Sequence, residues 1–251
     1  LADDVVVALA PAGERTITCS EDVGPGHENL AFRAAQLYCG ATDWPTGYHI
    51  GINKRIPAGG GLGGGSADAA ATLLALNAMS PGKLDEAELA EMGSQLGADI
   101  PFLLLDAPKA LAWGHGDRML KLPALPQKHV ALVVPEYGVG TPQVFQSLRP
   151  EEFRHPGQLS VDDLTSWERI AELSGNDLGR SPVIRSRTQL TNSLAALRGA
   201  GAIMAEMTGS GSVVFGIFDS EPDSGSLEAA TGCRLVLTRT ALNVEAPRRL
   251  D

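Results

Sequence analysis

The chain has 251 residues, 20 Lys and Arg against 30 Asp and Glu, and a formal charge of −10. Its apolar fraction of 43% suffices for a packed core and excludes a disordered tail, and its acidity excludes a phosphate-backbone binder, which needs clustered Lys and Arg. The basic residues occur only in short pairs such as Lys54-Arg55 and Arg248-Arg249, so neither a nucleic acid nor an anionic membrane is expected as partner. Three cysteines, Cys19, Cys39 and Cys233, have neither the pairing of a disulfide framework nor the spacing of a zinc site. No apolar run reaches the ~18 residues of a membrane span, and Leu1-Ala-Asp-Asp lacks the features of a signal peptide. A cytoplasmic, reducing setting is therefore expected.

In chain order, Val5 to Leu9 and Thr16 to Cys19 read as strands. Glu28 to Cys39 reads as a helix with Leu30, Ala34 and Leu37 on one face and Asn29 or a neighbour as its cap. His49 to Lys54 alternates as a strand, residues 59 to 66 form a glycine loop, and Ala67 to Met79 follows as an Ala- and Leu-rich helix. Asp85 then opens a helix as N-cap, Glu88 completes a capping box, and Leu84 with Leu89 supplies a hydrophobic staple. That helix is expected to stop near Gly97. Prolines at 123 and 126 precede a strand from His129 to Val134, which places a domain boundary at about residue 122. Beyond it, Thr191 to Arg198 reads as a helix with Gly199 as a left-handed C-terminal cap. A turn at residues 208–212 leads into a strand from Val213 to Phe218, and Cys233, Leu235 and Leu237 alternate in a last strand. The intermixed strands and helices predict an α+β fold of two domains, residues 1–122 and 123–251.

The glycine content of 29 exceeds the ~18 that average usage would give, and the excess is concentrated. Six of the seven residues from Gly59 to Gly65 are glycine, Leu62 being the exception, and a helix follows. Absent side chains let a ligand approach the main chain, and the helix N-terminus adds unpaired amides and partial positive charge. This combination predicts a phosphate site, with the Ser66 hydroxyl able to reach a phosphate oxygen or a phosphate-bound Mg²⁺. A flexible linker is the plain alternative, but linkers are rarely bracketed by a strand and a long helix. Gly59-x-Gly61-x-x-Gly64 also matches a dinucleotide fingerprint, yet its partner acid would fall in the capping box already described. No Lys-Ser or Lys-Thr follows the glycines, so the Walker pattern is absent.

Pro57-x-x-x-Gly61-Leu62 with Gly65-Ser66-Ala67 resembles the second motif of the GHMP kinases. The resemblance extends through Glu28-Asn29-Leu30, Leu96-Gly97-Ala98-Asp99-Ile100-Pro101, Thr141-Pro142 with Phe145, and Met207 to Ser212. It implies a two-domain kinase with the active site between the domains, and ATP and Mg²⁺ as cofactors. The resemblance implies as small-molecule substrate a cytidine-diphosphate-linked sugar alcohol of non-mevalonate isoprenoid synthesis, phosphorylated on a hydroxyl. By resemblance Asp99 is the base toward that hydroxyl. Pro57, Gly59, Gly60, Gly61, Leu62, Gly63, Gly64, Gly65 and Ser66 surround the nucleotide phosphates, with Gly209, Ser210 and Gly211 closing over them. Lys54 and Asn29 match positions near the nucleotide base, and Thr141 and Phe145 match positions beside the cytidine, where an aromatic face can stack. Each also has a plain reading: Asp99 as a turn residue before Pro101, Lys54 as a solvated strand end, Asn29 as a helix cap, Phe145 as core, and 209–211 as an ordinary loop. The family's first motif, a lysine for the transferred phosphate and a Gly-Tyr-His for the cytosine, falls upstream of Leu1. Gly47-Tyr48-His49 runs directly into the strand before the glycine loop and does not match it. A chain starting at Leu1 is therefore expected to turn over poorly. The competing expectations are a nucleotide-binding protein without catalysis and another GHMP small-molecule kinase.

Overall fold

The computed structural model describes residues 1–116, 118–149, 151, 153 and 159–250. The chain forms two compact units. Unit 1 comprises Leu1–Ala58, Gly63–Ala124 and Asn243–Asp251; unit 2 comprises Gly59–Leu62 and Leu125–Leu242. Four residues of the glycine stretch thus go with the second unit while both of their flanks go with the first.

In unit 1, β1 (Asp4–Leu9), β2 (Arg15–Cys19) and β3 (Tyr48–Asn53) form a sheet of order β1-β3-β2. β3 pairs antiparallel with β1, Val5 opposite Ile52, and parallel with β2, Ile17 opposite Ile50. Alternation along β3 buries Tyr48, Ile50 and Ile52. These pack in one core with α1 (Leu30–Thr42) and α2 (Gly64–Met79), whose Ala31, Ala34, Ala35, Ala69 and Ala70 are buried there. Small side chains at these positions let helix and sheet backbones approach closely. α3 (Glu86–Ser94) and the short α4 (Ile100–Leu103) add Leu89, Met92 and Ile100 to this core, and β4 (Lys109–Trp113) pairs antiparallel with β5 (Arg118–Leu122).

Unit 2 is built on an antiparallel sheet of order β7-β8-β6-β9, from β6 (His129–Val134), β7 (Met204–Met207), β8 (Val214–Phe218) and β9 (Arg234–Arg239). Between β6 and β7 come α5 (Thr141–Ser147), α6 (Trp167–Leu173), α7 (Pro182–Arg185) and α8 (Thr188–Gly199). α9 (Ser224–Thr231) joins β8 to β9. The inward stripe of α8, Leu190 and Leu197, meets Val133, Val214 and Leu227 in the core.

Several boundaries differ from the sequence reading. The first helix does not run from Glu28: residues 26–28 form a 3₁₀ turn, and Asn29, extended at φ −62° and ψ 129°, caps a helix that starts at Leu30. The helix at the glycine loop starts at Gly64 rather than Ala67, because Gly63 takes the left-handed N-cap conformation and its carbonyl accepts from Ala67 N at 2.9 Å. α3 ends at Ser94, three residues short of Gly97, where Leu96 N and Gly97 N both turn back to the Gly93 carbonyl. α8 begins at Thr188, and Gly199 is its last helical residue and no left-handed cap. The positive φ, 89°, falls on Gly201, which lets Ala202 N return to the Leu197 carbonyl. The capping box is present as read: Glu88 N donates to Asp85 Oδ1 at 2.9 Å and Asp85 N to Glu88 Oε2 at 2.8 Å.

Candidate functional site

The second helix of unit 1 starts directly behind the glycines. Its N-cap, Gly63, has no side chain to offer, so the first-turn amides of this 16-residue helix receive no side-chain cap. Some other helix starts are filled from within, Asn29 accepting from Ala31 N, Asp85 from Glu88 N and Ser166 from Arg169 N, whereas α5 and α8 also begin without a side-chain cap, at Gly140 and Arg187. An uncapped N-terminus retains amides and partial positive charge for an anion. Ser66 lies in this first turn. Ahead of it, Gly59, Gly61 and Gly63 have φ of 72°, 76° and 71°, alternating with residues in ordinary conformations.

The Lys54 side chain is only 4% exposed, and its ammonium is held by two carboxylates. It donates to Asp68 Oδ2 at 2.8 Å and to Asp3 Oδ2. A solvated strand end is thereby excluded. Asp3 Oδ1 accepts from Ile56 N at 2.8 Å and from Arg55 N, whereas Asp68 Oδ1 is buried with no hydrogen-bond partner among the described residues. This asymmetry divides the two carboxyls. Burial pushes Asp68 up to about 6 against the pull of Lys54. Burial also raises Asp3, but the Ile56 amide, the Lys54 ammonium and the Arg55 amide together bring it below the usual carboxylate range. Lys54 is lowered by burial and raised more strongly by hydrogen bonds to Asp3 and Asp68, ending above its ordinary value.

Asn29 accepts from Ala31 N at 2.9 Å, so its side-chain oxygen caps α1. Asp99 is exposed at the start of α4, with Pro101 in the first turn, and makes no capping hydrogen bond. Its carboxylate is therefore not occupied by the turn that carries it. Tyr48, from the Gly47-Tyr48-His49 segment, is a core residue of β3.

In unit 2, the residues 59–62 lie against the turn between β7 and β8. The Gly60 carbonyl accepts from Thr208 Oγ1 at 2.8 Å and from Val213 N at 3.1 Å. A Cβ on Gly61 would land on the Thr208 carbonyl oxygen and within 3.0 Å of Gly211 N and O, so only glycine fits. Asn176 Nδ2 donates to the carbonyls of Met207 and Gly209 at 2.9 and 2.7 Å and so fixes the other side of the turn. Thr141, in the first turn of α5, shares a 2.7 Å hydrogen bond with Ser210, which ties a predicted cytidine-side residue to the predicted third motif. Phe145, one turn further along α5, is 55% exposed and is not core.

Sequence reasoning missed Asp3, Asp68 and Asn176. Asp68 left one signal, a carboxylate among the alanines of an otherwise apolar helix; Asp3 and Asn176 left none.

Comparison with known proteins agrees with the motifs. Residues 29–106 match the GHMP kinases N terminal domain and residues 158–232 the GHMP kinases C terminal domain. The 4-diphosphocytidyl-2-C-methyl-D-erythritol kinase of Citrifermentans bemidjiense is 40% identical over 226 residues, covering 88% of this chain and 78% of that protein. Its namesake from Pelotomaculum thermopropionicum is 37% identical over 227 residues, covering 87% and 78%. A crystal structure of 4-(cytidine 5'-diphospho)-2C-methyl-D-erythritol kinase superposes with a TM-score of 0.76 at 36% identity, over 94% of this chain and 85% of that one. The chain belongs to the GHMP kinases, in the family of the 4-diphosphocytidyl-2-C-methyl-D-erythritol kinases.

Proposed function

We propose that the chain transfers the γ-phosphoryl group of ATP to a hydroxyl of 4-diphosphocytidyl-2-C-methyl-D-erythritol, within non-mevalonate isoprenoid precursor synthesis. The observation that carries this reading is the uncapped start of α2 behind the glycines: a 16-residue helix whose N-cap, Gly63, gives no side-chain hydrogen bond to its first amides. Such a terminus takes a phosphate through main-chain amides, with Ser66 adding a hydroxyl donor. Glycines 209 and 211 flank Ser210 in the turn that holds Gly60 and Gly61, which supports the same assignment for the third motif.

Phosphoryl transfer depends mainly on positioning and charge stabilisation. The substrate oxygen forms a bond to the γ-phosphorus as the bond from that phosphorus to the bridging oxygen breaks, and ADP leaves. Asp99, exposed and without a capping bond, accepts the hydroxyl proton. Thr141 and the exposed ring of Phe145 are assigned to the cytidine end of the substrate, the ring as a stacking face. Asn29 is left near the nucleotide base, its amide nitrogen available because the cap uses only its oxygen. Among the described residues no three His, Cys, Asp or Glu converge on a possible metal position. A magnesium ion brought by the triphosphate would neutralise charge on the phosphate oxygens, and the Ser66 hydroxyl is the group assigned to reach it.

The test is incubation of the full chain with ATP and the cytidine substrate, followed by detection of the phosphorylated product. Asp99→Asn is expected to lower kcat by about 10²- to 10⁴-fold, the usual contribution of a positioned base, with KM for ATP within twofold. An undiminished rate would remove Asp99 from the mechanism.

A further inference from the structure

The main chain leaves unit 1 after Ala58 and returns to it at Gly63. Both flanks meet at one buried cation. Lys54, immediately after β3, reaches forward to Asp68 in the second turn of α2 and back to Asp3 ahead of β1. Side-chain exposures are 4% for Lys54, 4% for Asp68 and 2% for Asp3. Through its other oxygen Asp3 holds the amides of Arg55 and Ile56, so the last turn before the loop is tied to the same group. Lys54 N in turn donates to Ser20 Oγ at 2.8 Å. Gly64 is shaped to this arrangement, since a Cβ there would come within 3.2 Å of the Lys54 ammonium and 3.1 Å of Ile56 Cγ2.

Energetics indicate what the triad is for. A cation under a helix N-terminus opposes the helix dipole, and a buried ion pair seldom stabilises more than apolar groups of equal volume. What it provides is direction: three hydrogen-bonding groups with one geometry, joining residues on each side of the glycines. We propose that Lys54, Asp68 and Asp3 form a clamp that fixes the spacing and direction of the two ends of the phosphate-binding main chain before ATP arrives. These are positioning residues and touch neither nucleotide nor substrate. The proposal rests on residues 59–66 being the phosphate site.

The experiment uses the full chain and two variants, Lys54→Met/Asp68→Leu and Asp68→Asn. The double variant replaces the ion pair with apolar groups of similar volume, whereas asparagine retains an acceptor for Lys54. In the double variant, amide exchange over residues 63–72 is expected to accelerate at least tenfold while α3 keeps its protection. Its Kd for a non-hydrolysable ATP analogue is expected to rise at least tenfold, with KM for the cytidine substrate within twofold. Asp68→Asn is expected to stay within threefold of the parent on every measure. Unchanged exchange at 63–72, or acceleration shared equally by α3, overturns the clamp. If the double variant does not fold, Lys54→Arg decides: its planar fork cannot reproduce the ammonium geometry. A tenfold faster exchange at 63–72 then supports the clamp and unchanged exchange overturns it. A parent chain that binds no ATP analogue refutes the phosphate-site reading, while the exchange data still decide whether the clamp exists.

Discussion

The glycine stretch is held by two different kinds of force. In unit 1 its flanks are fixed by a buried ammonium between two carboxylates, Lys54 with Asp68 and Asp3. In unit 2 its middle is fixed by uncharged hydrogen bonds from Thr208 Oγ1 and Val213 N to the Gly60 carbonyl and by the close approach of Gly61 to the main chain of Thr208 and Gly211. Electrostatic fixation depends on protonation and is sensitive to what happens to each partner. The neutral contacts of unit 2 have no titratable part, and the close approach at Gly61 fails when an atom is added. The same segment should therefore respond to pH through one region and to a single methyl group through the other.

The largest effect is expected from Gly61→Ala. The added Cβ meets the carbonyl oxygen of Thr208 and the main chain of Gly211, none of which is the mobile end of a side chain, and φ is 76°. Left-handed strain contributes about 1 to 2 kcal/mol and the main-chain clash more, so a total loss on the order of 3 kcal/mol is expected. Denaturant unfolding checks this, and the loss should be the same at pH 5 and pH 7.5. A pH-dependent loss would mean that the two modes of fixation are not separate.

The second effect is smaller and belongs to the charged region. Asp68 has its carboxyl at about 6 against an ordinary 3.8, so the folded chain binds this proton more tightly than the unfolded chain does. Acidification from pH 7.5 to 5 should then raise the stability of the parent relative to Asp68→Asn, on the order of 1 kcal/mol. Asp3 has the opposite sign. Its carboxyl is lowered, so its contribution is present above 3.8 and is lost as pH falls through its folded value. Lys54 is raised, and its contribution is lost only as pH climbs past 10.5 toward its folded value. The stability of the parent relative to Asp68→Asn should therefore rise as pH falls from 8 and level off below about 3.8, where the unfolded carboxyl is protonated as well. A difference that is flat between pH 5 and 7.5 would show that Asp68 stays ionised in the fold.

What could be read from the sequence follows the range of the interaction. The Asp85/Glu88 capping box spans three residues and both of its hydrogen bonds are local, so the residue types alone specify it. The alternation of β3 and the run of glycines are local in the same sense. The Lys54 clamp is not, because Asp3 lies 51 residues from Lys54 and their meeting is decided by the pairing of β1 with β3. Asn176 meets Gly209 across 33 residues for a similar reason. Gly199 and Gly201 are both admissible caps by type, and the choice fell to Gly201 because Ala202 N must reach the Leu197 carbonyl. Phe145 illustrates the converse: apolar type suggests burial, but on α5 it is Val144 that enters the core.

Gly63→Ala should have the smallest effect and separates the causes most sharply. Gly63 has nearly the φ of Gly61, 71° against 76°, but a Cβ at 63 would meet nothing within 4 Å. The same substitution two residues apart therefore removes the clash and leaves the conformational cost, about 1 kcal/mol. Alanine also offers no oxygen to the α2 amides, so the phosphate site stays uncapped and ATP affinity should change less than threefold. Parallel unfolding and calorimetry of the two variants give the comparison directly. Equal losses would show that the left-handed conformation alone makes these glycines necessary. A threefold smaller loss at Gly63, with ATP binding retained, would assign the difference to the contact of Gly61 with the Thr208 turn.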